Sequence, residues 1–304
     1  MNRLFDVFEK KKIFKLVLGL GNRSCEEIYE TSKIYALAGC DMFDINASER
    51  AIEALKRALK DAEREDALIC ISIGLEGDVH TRKAVVNEKK CSACAKCLKK
   101  CPCGAIVMKE GRAFVLSDKC IGCGKCKCSA ISYKSAQNDM AEAVRLAKKY
   151  GADCVEFHVS IKKSPKSVVE YLLKNLECPL SLCLDRKYYS NEKIAKLINK
   201  VKKIKGDSRF VIQADGVPMS GGEDSLNSTL QAVAMAHIVQ DFGTYILLSG
   251  GTNSKTAKLA NECGLRFNGV GVGSYARKII KNLPPEEAVK KAKELVLSVN
   301  CNSH

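Results

Sequence analysis

Nine closely spaced cysteines, between Cys91 and Cys128, are the residues of this 304-residue chain whose spacing most clearly indicates chemistry. The stretch CSACAKCLKKCP has the spacing C-x2-C-x2-C-x3-C-P, a run that ligates iron–sulfur clusters. Its first three cysteines bind one cluster, the fourth reaches a neighbouring cluster, and the proline turns the chain away. The ligands predicted from this run are Cys91, Cys94, Cys97 and Cys101.

A partial repeat, CIGCGKCKCSAI, supplies Cys120, Cys123 and Cys126 at the same spacing. The expected continuation x3-C-P is missing, and Cys128 follows Cys126 after a single residue. Cross-ligation of the kind found in two-cluster ferredoxins predicts two 4Fe-4S clusters. The predicted ligand sets are Cys91, Cys94, Cys97 and Cys128 for one cluster, and Cys120, Cys123, Cys126 and Cys101 for the other.

The fourth ligand of the first set has an alternative in Cys103, the ninth cysteine of the block. In an extended chain, Cys126 and Cys128 would lie about 6.6 Å apart on one side, so they reach different clusters only if the chain turns between them. A second site that is incomplete or holds three irons is therefore a further alternative. Zinc also binds C-x2-C pairs, but two such spacings, a C-x3-C-P ending and a partial repeat favour iron–sulfur.

The composition indicates a folded protein, with 46% hydrophobic and 28% charged residues. The formal net charge of +15 suits an acidic redox partner, and no basic motif with interleaved aromatic residues predicts nucleic-acid binding. No apolar run reaches the roughly 18 residues that a membrane span needs, and the start MNRLFDVFEKKKIF lacks signal-peptide features. We therefore expect a cytoplasmic protein without a membrane span.

Short apolar runs alternate with amphipathic segments outside the cysteine block, which predicts a (β/α)8 barrel of the TIM type. An open doubly wound sheet is the main alternative. Several of the helical segments end in a glycine just before the next run, as expected at a helix C-terminus. The eight runs cover residues 14–20, 41–46, 67–73, 153–159, 179–185, 209–215, 244–250 and 267–273.

The cysteine block follows the third predicted strand, so it is expected to be an insertion in a βα loop. We predict a ferredoxin-like α+β domain over residues 79–135, between barrel parts at residues 1–78 and 136–304. Within it, AIVMKEGRAFVLSDKC predicts two short strands that turn at Gly111.

Several segments resemble, in order, the light-dependent period A family of iron–sulfur proteins, over roughly Lys15 to Ile280. The resemblance implies a cluster-bearing protein that senses or relays redox state, with a redox protein, a quinone or another small molecule as electron donor or acceptor. It implies no catalysed reaction, and a role in a circadian clock is not carried over. The segments are KLVLGLGN, YALAGCDMFDINA, RKAVVNEKKC, GADCVEFHV, QADGVPMSGG, LLSGGTN and GVGSYARKII.

Polar residues cluster at the C-terminal ends of the predicted barrel strands, where barrel enzymes carry their functional groups. Glu156 and His158 lie on one strand face and are candidates for an acid–base pair. The alternative is that these polar ends only cap loops and helix starts. The full set is Asn22, Asp44, Asn46, Glu156, His158, Asp185, Asp215 and Ser249.

Glycine-rich turns follow the seventh and eighth predicted strands, a common place for a phosphate site in barrels. Arg277 or Lys278 would add positive charge there, and FMN is a possible ligand. The alternative is that the glycines only permit tight turns and that the hydroxyls cap helices. The predicted anion-binding residues are Gly250, Gly251, Thr252, Gly273 and Ser274.

Three hypotheses about function follow from the sequence. The first is a non-catalytic iron–sulfur protein that transfers electrons or senses redox state. The second is an oxidoreductase whose barrel mouth holds FMN or a small-molecule phosphate and receives electrons from the clusters. The third is a binding protein whose basic surface docks an acidic partner in a complex that weakens with salt.

Overall fold

The computed structural model describes residues 3–19, 23–74, 82–102, 104–117, 119–120, 122, 124–135, 139–159, 166–185, 190–205, 210–216 and 224–300. Asn22, Cys103 and Cys123 lie outside these residues. The strands are β1 (Ile13–Val17), β2 (Met42–Asn46), β3 (Leu68–Ile73), β4 (Arg82–Val86), β5 (Ile106–Lys109), β6 (Arg112–Val115), β7 (Ile131–Ser135), β8 (Cys154–His158), β9 (Leu180–Leu184), β10 (Val211–Asp215), β11 (Tyr245–Ser249) and β12 (Gly269–Val272).

Eight of these strands form a closed barrel in the order β1-β12-β11-β10-β9-β8-β3-β2, with every neighbouring pair parallel. This confirms the predicted TIM-type barrel; seven barrel strands lie within the predicted runs, and β1 begins at Ile13, one residue before its run. The helices are α1 (Arg3–Lys10), α2 (Cys25–Leu37), α3 (Glu49–Asp61), α4 (Lys96–Lys100), α5 (Met140–Tyr150), α6 (Lys166–Asn175), α7 (Asn191–Lys205), α8 (Leu226–Val239), α9 (Thr256–Glu262), α10 (Ser274–Ile279) and α11 (Pro285–Asn300).

Alternation along each barrel strand separates an outer apolar face from the barrel interior. Phe14 and Leu16 of β1 pack in the large apolar cluster that also contains residues of the surrounding helices. Ile13 precedes Phe14 in β1 and therefore lies on the opposite face of the strand. It belongs to a separate cluster inside the barrel. The side chains of β1 on the same face as Ile13, those of Lys15 and Val17, therefore point into the barrel interior.

The N-terminal end of the barrel is closed by α1, which the sequence did not predict as a helix. Leu4, Phe5 and Phe8 of α1 are buried in one cluster with Ile13 and Met42, which lie at the starts of their strands. This helix gives the barrel an apolar floor, so polar side chains in the interior face the C-terminal end.

Glycines end three of the barrel helices, as the sequence predicted. Gly39, Gly151 and Gly264 have φ angles of 89°, 63° and 66°, which is the left-handed conformation that terminates a helix with little cost for glycine. At the other end of α2, Ser24 accepts a hydrogen bond from the Glu27 amide while the Glu27 side chain accepts from the Ser24 amide. Such a capping box fixes where the helix begins.

The cysteine-rich segment forms a small α+β unit between β3 and β8. In it, β4 pairs antiparallel with β7, and β5 pairs antiparallel with β6 around a turn at Gly111, which has a φ of 73°. The sequence predicted the β5–β6 hairpin but missed the β4–β7 pair. No helix in the described ranges is long and apolar enough to cross a membrane.

Candidate functional site

Four cysteines from two separate segments of the insertion line one pocket. Cys91 and Cys94 lie in the loop that leads into α4, Cys97 lies in α4 itself, and Cys128 comes from the turn before β7. Cys97 is buried, Cys91 is half-buried, and the other two are exposed. The structure therefore brings together the four residues that cross-ligation predicted for the first cluster.

The loop around these cysteines has an unusual backbone. Ala93 and Ala95 both have positive φ angles, 55° and 53°, which are uncommon outside glycine and asparagine and tend to occur at functional sites. The backbone amide of Lys96 and, next, the Ser92 hydroxyl lower the pKa of Cys94. These contacts favour the thiolate, the form that binds metals.

Three further cysteines of the motif pack together with Cys97 in the small apolar core of the insertion. The Ala84 amide donates to the sulfur of Cys120 at 3.3 Å, and the Ala105 amide lies 3.3 Å from the sulfur of Cys101. The sulfur of Cys126 lies 3.1 Å from the hydroxyl of Tyr133. Hydrogen bonds of this kind stabilise cysteine thiolates and tune the clusters they hold.

Cys126 and Cys128 face different surroundings although one residue separates them. Cys126 is buried against Tyr133 in the apolar core, whereas Cys128 is exposed and lines the pocket with the first three cysteines. A succession of turns, with the Ile131 amide donating to the Cys128 carbonyl, replaces the extended chain that would keep both on one side. The geometric difficulty noted from the spacing is thereby removed.

The barrel interior holds a buried polar network centred on Lys15 of β1, a residue that the sequence analysis missed. Its ammonium lies 2.9 Å from Asp44 Oδ2, contacts Glu156 Oε2, and donates to Gln213 Oε1 at 2.7 Å. Gln213 Nε2 in turn donates to Glu156 Oε1 at 2.7 Å, and Ser72 donates to Asp44. The predicted rim residues Asp44 and Glu156 are therefore parts of one network.

The charges of this network are set by burial and by the pairing. Burial opposes the charge of Lys15, but nearby carboxylates, Asp44 foremost, raise its pKa well above the ordinary value. Burial alone would raise the pKa of Glu156, yet Lys15 and then His158 lower it to about 2. Burial raises the pKa of Asp44, and Lys15 and Ser72 oppose that rise.

Above this network, towards the barrel mouth, lie His158, Cys183 and Asp215. His158 Nε2 is 3.2 Å from Glu156 Oε1, and the Cys183 thiol donates to Asp215 Oδ2 at 3.5 Å. Burial, and then the neighbouring carboxylate of Glu156, raise the pKa of Asp215 to about 7 against the opposing effect of His158. Burial also raises the pKa of the Cys183 thiol.

The predicted anion-binding residues lie at the same mouth. Gly250 and Gly251 have φ angles of 73° and 75°, and a Cβ on Gly250 would lie 2.1 Å from Asp215 Oδ1. Thr252 directs its hydroxyl to the Gly271 carbonyl, so that proton is not available to an anion. Gly273 and Ser274 begin α10, and Asn46, Asp185 and Ser249 lie at the ends of their strands.

Arg277 lies beside Gly273 and Ser274, and Arg23 is near enough for its charge to act on Arg277. Arg277 donates to the Val17 carbonyl, and its second terminal nitrogen lies 3.4 Å from Ser274 Oγ. Burial, and then the charge of Arg23, lower the pKa of Arg277 to about 10. Within the described part of the chain, the Nε atoms of Arg23 and Arg277 are buried without a hydrogen-bond partner.

A family model, the light dependent period A C-terminal domain, matches residues 146–300, which is half of the chain. The chain belongs to this family. The match covers β8 to β12 of the barrel and does not include the cysteine-rich insertion.

Individual relatives extend this result. The chain is 27% identical over 292 residues to Light dependent period A of Synechococcus elongatus, covering 89% of this chain and 81% of that protein. It is 33% identical over 107 residues to indolepyruvate oxidoreductase subunit IorA of Methanothermobacter thermautotrophicus, covering 34% of this chain but 16% of that protein. These relationships support a redox-related function.

Among solved structures, tryptophan synthase of Mycobacterium tuberculosis superposes with a TM-score of 0.55. The similarity covers 99% of each chain at 12% sequence identity. At this identity the likeness concerns the barrel fold alone.

Proposed function

We propose that this protein binds two iron–sulfur clusters in its insertion, residues 79–135, and acts in electron transfer or redox sensing. The observation that carries the proposal is the shared pocket of Cys91, Cys94, Cys97 and Cys128. The cross-ligation pattern of the motif requires that these four residues meet, although 31 positions separate Cys97 from Cys128. The barrel parts, residues 1–78 and 136–304, serve as the scaffold.

The second ligand set combines Cys101, Cys120 and Cys126 with Cys123, which lies outside the described residues. The first three pack in one apolar core, and two of them receive backbone amides at 3.3 Å. Exclusion of water from the sulfurs and hydrogen bonds to them are two of the means by which a protein sets a cluster potential. Bound iron–sulfur clusters supply one-electron transfer.

The electrostatics of the insertion favour an acidic electron-transfer partner. Residues 79–135 contain thirteen Lys and Arg against three Asp and Glu, a formal excess of ten of the fifteen positive charges of the chain. Lys90, Lys96, Lys100 and Lys127 line the same pocket as the first four cysteines. Two clusters with their thiolates remove about four of those charges and leave the surface basic. A quinone or other small molecule is the alternative partner.

The first experiment compares single cysteine variants of anaerobically reconstituted protein. Cys128→Ser should lose the cluster held by the first set, while Cys263→Ser, at an exposed cysteine outside the block, should retain wild-type iron. Iron and sulfide content, with electron paramagnetic resonance of the reduced protein, report the result. Full iron content in Cys128→Ser would refute the assignment of this residue and favour Cys103.

A second experiment addresses the partner. Binding of an acidic redox protein, such as a reduced ferredoxin, should weaken as salt rises from about 0.05 to 0.5 M, because screening shortens the range of surface charges. Lys96→Gln combined with Lys127→Gln should weaken binding further than Lys258→Gln and Lys290→Gln, which change the same charge outside the insertion. Equal effects of the two pairs would argue against docking at the pocket.

An oxidoreductase with a phosphate-bearing ligand such as FMN at the barrel mouth is the second candidate. The observation that favours it is the pair Arg23 and Arg277, whose buried Nε atoms have no hydrogen-bond partner among the described residues. A phosphate beside Gly273 and Ser274 would pair with the guanidinium of Arg277, which lies 3.4 Å from Ser274 Oγ. The test is release of flavin from denatured protein, measured by fluorescence, and its loss in Arg277→Gln. Protein that binds neither flavin nor inorganic phosphate would remove this candidate.

A further inference from the structure

The interior of the barrel contains more buried acid than buried base. Asp44 and Glu156 are both buried inside it. Among the buried residues of the described ranges, Lys15 is the one lysine or arginine. A set of buried carboxylates in excess over buried cations requires either bound protons or a bound positive charge.

Lys15 provides the cation for the lower part of the network. Asp44, Cys70 and Glu156 have ligand atoms within 4.8 Å of one another, but the ammonium of Lys15 contacts both carboxylates. Because that position already holds a positive charge, the lower group does not suit a metal ion. The opposite oxygen of Glu156, Oε1, faces the upper part of the interior.

The upper group consists of Glu156, His158 and Cys183. Their ligand atoms also lie within 4.8 Å of one another. Glu156 and His158 belong to β8, two residues apart and therefore on the same strand face, while Cys183 is the register partner of His158 on β9. Main-chain geometry of the barrel, rather than a loop, thus brings the three side chains together.

One distance within this group is already close to the edge of a metal tetrahedron. Bond lengths of about 2.1 Å to nitrogen or oxygen and about 2.3 Å to sulfur put neighbouring ligand atoms roughly 3.4 to 3.6 Å apart. Glu156 Oε1 and His158 Nε2 are 3.2 Å apart, and the sulfur of Cys183 lies within 4.8 Å of a ligand atom of each. Small side-chain adjustments would therefore suffice to admit an ion.

We propose that Glu156, His158 and Cys183 bind a divalent transition-metal ion of the zinc type at the barrel mouth. Thiolate, imidazole and carboxylate are the donors that zinc takes in proteins, and three protein ligands leave a fourth position for water or substrate. His158 is partly exposed, with 12% of its side-chain surface accessible, so the fourth position is reached from the mouth.

Residues around the three ligands fit this role. Gln213 donates to Glu156 Oε1 and, at 3.7 Å, to the sulfur of Cys183, so one amide orients two ligands. On binding, the Cys183 thiol loses its proton to solvent by way of Asp215 Oδ2, which accepts its hydrogen bond. The resulting thiolate, Glu156 and Asp44 carry three negative charges, and Lys15 with a divalent ion supplies three positive ones.

The test uses cluster-loaded protein, stripped of loosely bound metal with a chelator and then given one equivalent of zinc. Mass spectrometry should find about one zinc per chain, and zinc-edge X-ray absorption should show one sulfur at about 2.3 Å with nitrogen and oxygen ligands at about 2.0–2.1 Å. This edge is specific for zinc, so iron in the clusters does not obscure it. Zinc held by the cluster cysteines would instead show sulfur ligands only.

Cys183→Ser should abolish the sulfur contribution and weaken zinc binding by more than about tenfold. Cys40→Ser makes the same change at a buried thiol outside the barrel interior and should leave zinc binding unchanged. Circular dichroism and cluster absorbance verify that each variant is folded. Sulfur-only ligation, no retained zinc in the wild type, or an unchanged spectrum in both Cys183→Ser and His158→Gln would each overturn the proposal.

Discussion

Replacement of Lys15 by methionine tests whether the buried network holds the barrel together. Lys15 is fully buried, and its ammonium is shared by Asp44, Glu156 and Gln213. Methionine keeps much of the apolar stem but removes the charge. The variant therefore leaves two adjacent carboxylates in the interior without their cation.

The loss of stability can be estimated from two alternatives: both carboxylates stay charged, or one of them takes up a proton. At 2.9 Å and an effective dielectric constant of 20, the lost attraction between Lys15 and Asp44 is about 6 kcal/mol. The protein can avoid part of that loss by protonating one carboxylate, which costs about 4 kcal/mol at pH 7 for a glutamic acid of ordinary pKa. Because the protein adopts the alternative of lower free energy, protonation of one carboxylate limits the loss. We expect a destabilisation of about 3–5 kcal/mol.

Differential scanning calorimetry of the cluster-loaded protein under anaerobic conditions measures this effect. A loss of that size should lower the thermal midpoint by on the order of 10 °C. Lys148→Met is the matched control, because Lys148 and its partner Glu177 are both largely exposed. It should cost less than about 1 kcal/mol. Equal midpoints for the two variants would refute the idea that Lys15 neutralises the interior.

Two further substitutions examine the mouth and a helix start by thermal or denaturant unfolding. Gly250→Ala should lower the free energy of unfolding by about 3 kcal/mol, because the new Cβ would lie 2.1 Å from Asp215 Oδ1 at a φ of 73°. Gly243→Ala has a φ of 62° and open space around the Cβ, so it should lower that free energy by about 1 kcal/mol. A similar cost at both positions would contradict the close approach. Ser24→Ala should cost about 1 kcal/mol by removing the capping box, and Ser48→Ala, whose side chain makes no capping bond, should cost almost nothing. Equal losses from the two serine variants would argue against the cap.

The barrel could be predicted because its strands are short and buried, and because glycines mark the ends of helices between them. Runs such as ALICISI become β3, buried at all six positions, and glycines such as Gly151 mark the helix ends. The helix α1 was missed because helices were assigned only between strand-like runs, and RLFDVFEK precedes the first run. Its role as the barrel floor depends on contacts with distant strands, which no local pattern reports.

The cysteines of the insertion could be recognised as candidate ligands because the spacing within each motif is local. The interior network could not, although Lys15 gave a signal. A lysine at the second position of the apolar run FKLVLGL lies on the same strand face as Ile13 and Val17, and a charge on that face needs a buried partner. The partners Glu156 and Gln213 lie about 140 and 200 residues away and meet Lys15 only because the barrel closes.

The iron and acid-labile sulfide content of anaerobically reconstituted protein tests most directly whether the insertion holds two 4Fe-4S clusters. We predict about eight irons and eight sulfides per chain, and reduced protein with the magnetic resonance signal of two interacting clusters. About four irons per chain, or iron that persists when Cys91, Cys94 and Cys97 are all replaced by serine together with Cys120 and Cys126, would contradict the proposed function.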